Sequence, residues 1–147
     1  MQATTDAPNT IIDNGDPGFT STPGWTQPLA TNGYDGDQLN ASKGDGSRIA
    51  TWTFTDLTPG LYRVSATWTA FTNRATDAPY TIFDGAAPLV TVDINQQLTP
   101  DDFTSFGTTW EDLATVMITS NTLTVQLTDN ANDFVIADAV RIERVVI

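Results

Sequence analysis

The side chains that could do chemistry in this sequence are overwhelmingly carboxylates: 18 acidic residues stand against 6 basic ones, with no histidine and no cysteine. Only Glu111 and Glu143 are glutamates, so nearly all the acid is aspartate, a short carboxylate suited to oxygen-rich turns. Three turns concentrate it: Asp13, Asn14 and Asp16; Asp35 and Asp37; and Asp129, Asn130, Asn132 and Asp133. With backbone carbonyls, such a turn can complete the roughly six to eight oxygens that Ca²⁺ takes. Asp13, Asp16, Asp129 and Asp133 are therefore candidate ligands for a structural Ca²⁺, and no other cofactor is required. None of the turns has the full EF-hand spacing, and turn geometry with solvation accounts for the same residues.

A second chemistry needs flat rings beside directed polar groups, the combination that holds a sugar by its apolar face and its hydroxyls. Trp25 and Tyr34 in the early loops and Trp110 in a later one are the candidate platforms, with Phe103 and Phe106 nearby in sequence. Loop packing is the competing role for each. Asn73, Arg74 and Asp77 form an unusual polar loop between two strand patterns. Either Arg74 locks the loop through a bidentate pair with Asp77, or the three residues read ligand hydroxyls. The amides of Asn95, Gln96 and Gln97 pose the same choice.

Composition excludes several classes. Without cysteine or histidine there is no disulfide scaffold, no cysteine-ligated zinc and no Ser–His–Asp triad. Paired carboxylates can hydrolyse glycosides, but so many aspartates make chance pairs frequent, and an enzyme is not the expectation. A formal charge of −12 repels nucleic acid and anionic membranes, and no Lys/Arg stripe offsets it. No apolar run is long enough to insert in a bilayer. The first residues lack the basic and apolar runs of a signal peptide.

The elements that must position these groups read as strands. Ala50, Trp52 and Phe54 alternate with Thr51, Thr53 and Thr55; Tyr62, Val64, Ala66, Trp68 and Ala70 alternate with Arg63, Ser65, Thr67 and Thr69. Period two puts the two sets on opposite faces, and Trp52 and Trp68 in the core. Further strands are expected at Thr10–Asp13, Tyr80–Phe83, Leu89–Ile94, Leu113–Ile118, Leu123–Leu127 and Val135–Arg144. The loop 84–88 is expected to make a long hairpin connection, and 95–112 a polar and aromatic excursion. Asp138 falls on the apolar parity of its strand and so needs a donor, a cation or a bulge. At 147 residues the chain fits one domain: an extended leader over 1–10 and a single all-β, antiparallel β-sandwich module over 11–147.

The segments Asp13–Phe19 (DNGDPGF), Ala50–Phe54 (ATWTF), Asn73–Tyr80 (NRATDAPY), Val92–Gln97 (VDINQQ) and Phe134–Arg141 (FVIADAVR) resemble the golvesin/xanthan-lyase carbohydrate-binding-like family over about residues 11–144. The resemblance implies a jelly-roll or galactose-binding-domain-like sandwich, found in secreted hydrolases and large bacterial surface proteins, and with it an extracellular or cell-surface location as part of a longer exported protein. It implies a noncatalytic carbohydrate-binding accessory module whose partner is a glycan or polysaccharide. The alternative it leaves open is a structural or adhesive module packed against neighbouring domains of a surface protein.

Overall fold

Threonine alternating with large apolar residues gives strands and little else. The computed structural model describes residues 9–27 and 32–146. In chain order its strands are β1 (Asn9–Ile12), β2 (Phe19–Ser21), β3 (Leu39–Ala41), β4 (Ile49–Phe54), β5 (Gly60–Thr67) and β6 (Ala78–Asp84). They continue as β7 (Ala87–Ile94), β8 (Phe103–Ser105), β9 (Thr108–Ile118), β10 (Leu123–Thr128), β11 (Val135–Ala137) and β12 (Ala139–Val145). One sheet has the order β1-β12-β5-β9-β8, the other β2-β4-β10-β6-β7, and β3 with β11 forms a small ladder. All strand pairs are antiparallel. This is the expected antiparallel β-sandwich.

The core lies between the two sheets. Trp52 and Phe54 of β4, Val125 and Leu127 of β10, and Tyr80 and Ile82 of β6 meet Tyr62, Val64 and Ala66 of β5 and Val140 and Ile142 of β12. Trp68 joins them at the end of β5, as its parity predicts. Three strand expectations change, the first being that the excursion expected over 95–112 contains β8 and the first five residues of β9. The β6–β7 hairpin turns through Gly85 and Ala86 alone rather than through 84–88, because both strands run further and absorb an extra residue as a bulge between Ile82 and Phe83. The last expected strand is two: Asp138 interrupts it, and β11 and β12 then pair with different partners.

The long connections, 68–77, 95–102 and 129–134, gather at one end of the sandwich with the turns that precede β4. The opposite end carries the short turns 55–59, 85–86 and 119–122. Gln96 fastens the 95–102 connection to β6 and β11. Its buried side-chain amide donates to the Tyr80 hydroxyl and the Ile136 carbonyl, both at 3.0 Å, and accepts from the Ile136 N–H at 2.8 Å. It acts as an extra peptide group in the β11 region rather than as a ligand reader. Gln96→Ala leaves buried polar groups unmatched and is expected to cost about 2–4 kcal/mol, read as a lower urea midpoint. A cost below about 1 kcal/mol would remove Gln96 from this role.

Candidate functional site

The site is assembled from positions far apart in sequence. Asp13 follows β1, Asp37 follows a 3₁₀ turn at Tyr34–Gly36, and Asp138 sits in the break between β11 and β12. One carboxylate oxygen from each lies within 4.8 Å of the others. The backbone ties the three segments together. The Asn14 N–H is shared between the Asp138 carbonyl at 3.0 Å and Asp13 Oδ1 at 2.9 Å. The Tyr34 N–H donates to Asp138 Oδ2 at 2.9 Å, and the Trp52 indole N–H donates to the Asp138 carbonyl at 3.2 Å. Gly33, at φ 104°, is needed here: a Cβ would meet the Asp37 carbonyl and come within 3.0 Å of Asp138 Oδ2.

Three carboxylates this close cannot all be ionised at ordinary cost. Burial, then the hydrogen bond and repulsion shared with Asp138, pushes Asp13 up to about 9. Burial, opposed by the Tyr34 N–H, pushes Asp138 up to about 7. Asp37 Oδ1, Asp138 Oδ1 and the adjoining Asn14 Oδ1 are buried without a protein hydrogen-bond partner. An all-oxygen, strongly negative donor set with unmatched buried acceptors fits a hard divalent cation of the Ca²⁺ kind.

Above this cluster lies a shallow recess of about 250 Å³, lined by Gly33, Tyr34, Thr67, Trp68, Thr69, Gly107, Thr108, Thr109 and Asp138. Enclosed ligand pockets usually run roughly 300–1,000 Å³, so a ligand here would lie across the surface rather than inside it. Tyr34 is half-buried, its ring 5.9 Å from that of Trp110. Two more rings stand out at this long-loop end: Phe71 is 64% exposed and Phe106 is 97% exposed. Phe106 is held at φ 50°, in the two-residue turn between β8 and β9, where a bulky residue is rarely found. A larger recess of about 580 Å³ runs along Thr10–Ile12 and Thr53–Thr55 at the open edge between the sheets, but its one aromatic residue, Phe54, is buried.

Sequence-predicted residues divide accordingly. Trp110 is 0% exposed, so it has no ring face for a sugar; it shares the outer face of its sheet with Asp112 and is covered from the Tyr34 side. Trp25 is partly buried and packs on the core. Arg74 does not pair with Asp77. It donates to Asn73 Oδ1 at 2.7 Å and the Thr69 carbonyl at 3.4 Å, whereas Asp77 accepts from the Asn132 N–H at 2.9 Å. Burial holds the Arg74 guanidinium below its usual range. Of the predicted metal ligands only Asp13 joins the triad. Asp16 accepts the Asp13 N–H, Asp129 accepts the Gly46 N–H and faces Arg48, and Asp133 accepts the Phe134 N–H. Asp37 belongs to one of the three oxygen-rich turns, and Asp138 carries the parity failure that calls for a donor, a cation or a bulge, but spacing along the chain puts neither beside Asp13.

Solved structures of similar shape are carbohydrate-binding-module sandwiches. A CBM35 from Cellvibrio japonicus Abf62 has a TM-score of 0.63 at 15% identity, covering 92% of this chain and 92% of that one. The Podospora anserina GH26-CBM35 β-(1,4)-mannanase has a TM-score of 0.61 at 18% identity, covering 95% of this chain and 28% of that one. The match is stronger with a Paenibacillus xanthan lyase, with a TM-score of 0.78 and 30% identity over 94% of this chain. The aligned region spans 13% of the lyase. No curated protein matches the chain. The Golvesin C-terminal domain model matches residues 10–144, and the chain belongs to that family.

Proposed function

We propose that this chain is a noncatalytic carbohydrate-binding accessory module of an exported protein, holding a glycan across the recess beside Tyr34. The observation that carries the reading is the makeup of that recess: the half-buried Tyr34 ring beside the buried Trp68, four threonines of which Thr67 already gives its hydroxyl to the Thr109 carbonyl, and a carboxylate where the long loops gather. The ring supplies apolar area to a sugar face and the hydroxyls supply directed hydrogen bonds. Phe71 and Phe106 extend the apolar area on the same end. Asp13, Asp37 and Asp138 would hold a divalent cation beneath it. The cation would neutralise the triad and fix the Tyr34 turn through the Asp138 carboxylate.

A broad glycan array with the folded module tests the reading. Tyr34→Ala and Phe106→Ala are each expected to weaken the best signal at least tenfold while leaving the melting temperature within a few degrees. Binding that survives both substitutions moves the site elsewhere. Uniform absence of binding by folded protein removes the carbohydrate reading.

A second reading, docking against a neighbouring domain of a surface protein, is favoured by one feature. Val145, Leu61 and Met117 stand opposite one another across β12, β5 and β9, and Met117 is 52% exposed. This row lies near the short-turn end, away from the recess, so both roles fit one molecule. Met117→Lys is expected to weaken packing against an adjacent module without changing glycan affinity.

A further inference from the structure

Resting on the carbohydrate-binding reading, we infer that the long-loop recess selects uncharged glycans and disfavours those bearing uronate or sulfate. Proteins hold sugar carboxylates and sulfates with arginine forks, lysines, helix N-termini or an open-sided bound cation, and a divalent cation in the triad would carry less charge than its three carboxylates. This chain has 6 cationic side chains, and each arginine is already committed within the fold.

Arg63 makes a bidentate pair with Asp112, at 2.7 and 2.9 Å, and lies over the Phe103 ring. Arg141 covers the same ring and bonds Glu143. Arg48 is placed against Asp129 and Ser42, and Arg144 against the Pro59 carbonyl near the short-turn end. Arg74, on the same connection as Thr69 of the recess, is buried and bonded to Asn73 and the Thr69 carbonyl. Lys43, the one lysine, is exposed on the turn before β4 and does not line the recess.

The recess itself is surrounded by negative charge. Asp138 lines it, Asp13 and Asp37 lie against Asp138, and Asp35 is exposed beside Tyr34. A second acidic group, Asp101, Asp102 and Glu111, on the 95–102 connection and β9, has oxygens within 4.8 Å of one another. Charges are screened over about 8 Å at physiological salt, so an anion at Tyr34 still meets its nearest carboxylates. Divalent-cation occupancy of the triad would lessen this field but leave Asp35 and the second group in place. Threonine hydroxyls and ring faces make no charge demand on a ligand, which suits neutral sugars.

The experiment starts from the tightest neutral oligosaccharide in a panel of glucans, mannans and galactans. Its affinity is compared with that of the same oligosaccharide oxidised at C6 to the uronate, and with the methyl ester of that uronate. Titrations are run with calcium chloride and with EDTA, at low and high salt. The uronate is expected to bind at least tenfold more weakly than the neutral parent. Esterification should restore most of the loss, and both high salt and Asp35→Asn should narrow the gap. Asparagine tolerates the Asp35 backbone at φ 55°, so the variant keeps the turn.

A uronate that binds as tightly as its parent overturns the inference while the carbohydrate reading stands. A loss that esterification does not restore overturns it too, since the missing hydroxyl would then be the cause. Failure of every glycan to bind removes the carbohydrate reading and this inference with it.

Discussion

Calcium chloride added at pH 8 is expected to raise the melting temperature by roughly 5–10 °C, and excess EDTA to reverse the gain. A ligand at about one hundred times its dissociation constant stabilises a fold by about 2.7 kcal/mol. For a domain near 150 residues, each kcal/mol moves the midpoint by roughly 2–4 °C. The reason to expect binding is the unfavourable state of the triad without a cation. Asp13 and Asp138 have folded-state values raised to about 9 and about 7 from an ordinary 3.8. The folded protein therefore holds protons that the unfolded chain has released, and its stability falls as pH rises. The contribution is fully present below about pH 4, is lost through about pH 7 for Asp138, and is gone above about pH 9 for Asp13. In EDTA, the melting temperature should fall across that window. Calcium should flatten the slope by taking the place of the protons. Asp138→Asn keeps an acceptor for the Tyr34 N–H but removes one charge, and should weaken both effects. A melting temperature indifferent to calcium and to pH between 5 and 9 would reject the triad as a cation site.

Trp52→Ala is the substitution expected to cost most, about 3–5 kcal/mol. Trp52 is fully buried in β4, with the Phe19 ring edge-on at 5.3 Å and the Tyr80 ring stacked at 6.4 Å. Removing it opens a large cavity between the sheets and also frees the Asp138 carbonyl from its indole donor. Whole domains are typically stable by only about 5–15 kcal/mol, so this variant should unfold at a much lower urea concentration. It should also lose the calcium-dependent rise in melting temperature, because Asp138 hangs from the same contact. Trp52→Phe should recover part of the stability without the indole donor. A change below about 1 kcal/mol for Trp52→Ala would mean that the two sheets are not packed on this ring.

The parts legible in the sequence are those governed by local period. Alternation over 50–54 and 62–68 placed Trp52, Tyr62, Val64 and Trp68 on the core face, where the structure has them. Asp138 announced itself by falling on an apolar parity. Its partners did not, because Asp13 and Asp37 reach it through topology, not through spacing along the chain. Trp110 shows the same limit from the other side. The β5–β9 register shifts between Val64 and Ser65, so Leu113 becomes the extra residue of a bulge and Trp110 falls with Asp112 on the outer face. A turn more than seventy residues earlier then supplies Tyr34 beside it. No window of local sequence contains that contact. The 73–77 loop was legible as polar, with locking and ligand reading both open, but not in its pairing: Asn132, a residue of another loop, takes both Thr76 and Asp77.

The first and last strands are neighbours, with Asn9 opposite Glu143 at the short-turn end and Ile12 opposite Val140 toward the long loops. Chain therefore arrives at Asn9 and departs after Val145 through nearly the same spot. A unit wired in this way can be spliced into a host polypeptide as a cassette, entering and leaving through one narrow neck. Its long-loop end would face outward, about eight residues of β5 away, or roughly 26 Å from the splice. Loop residues could then be exchanged without re-engineering the joint to the host.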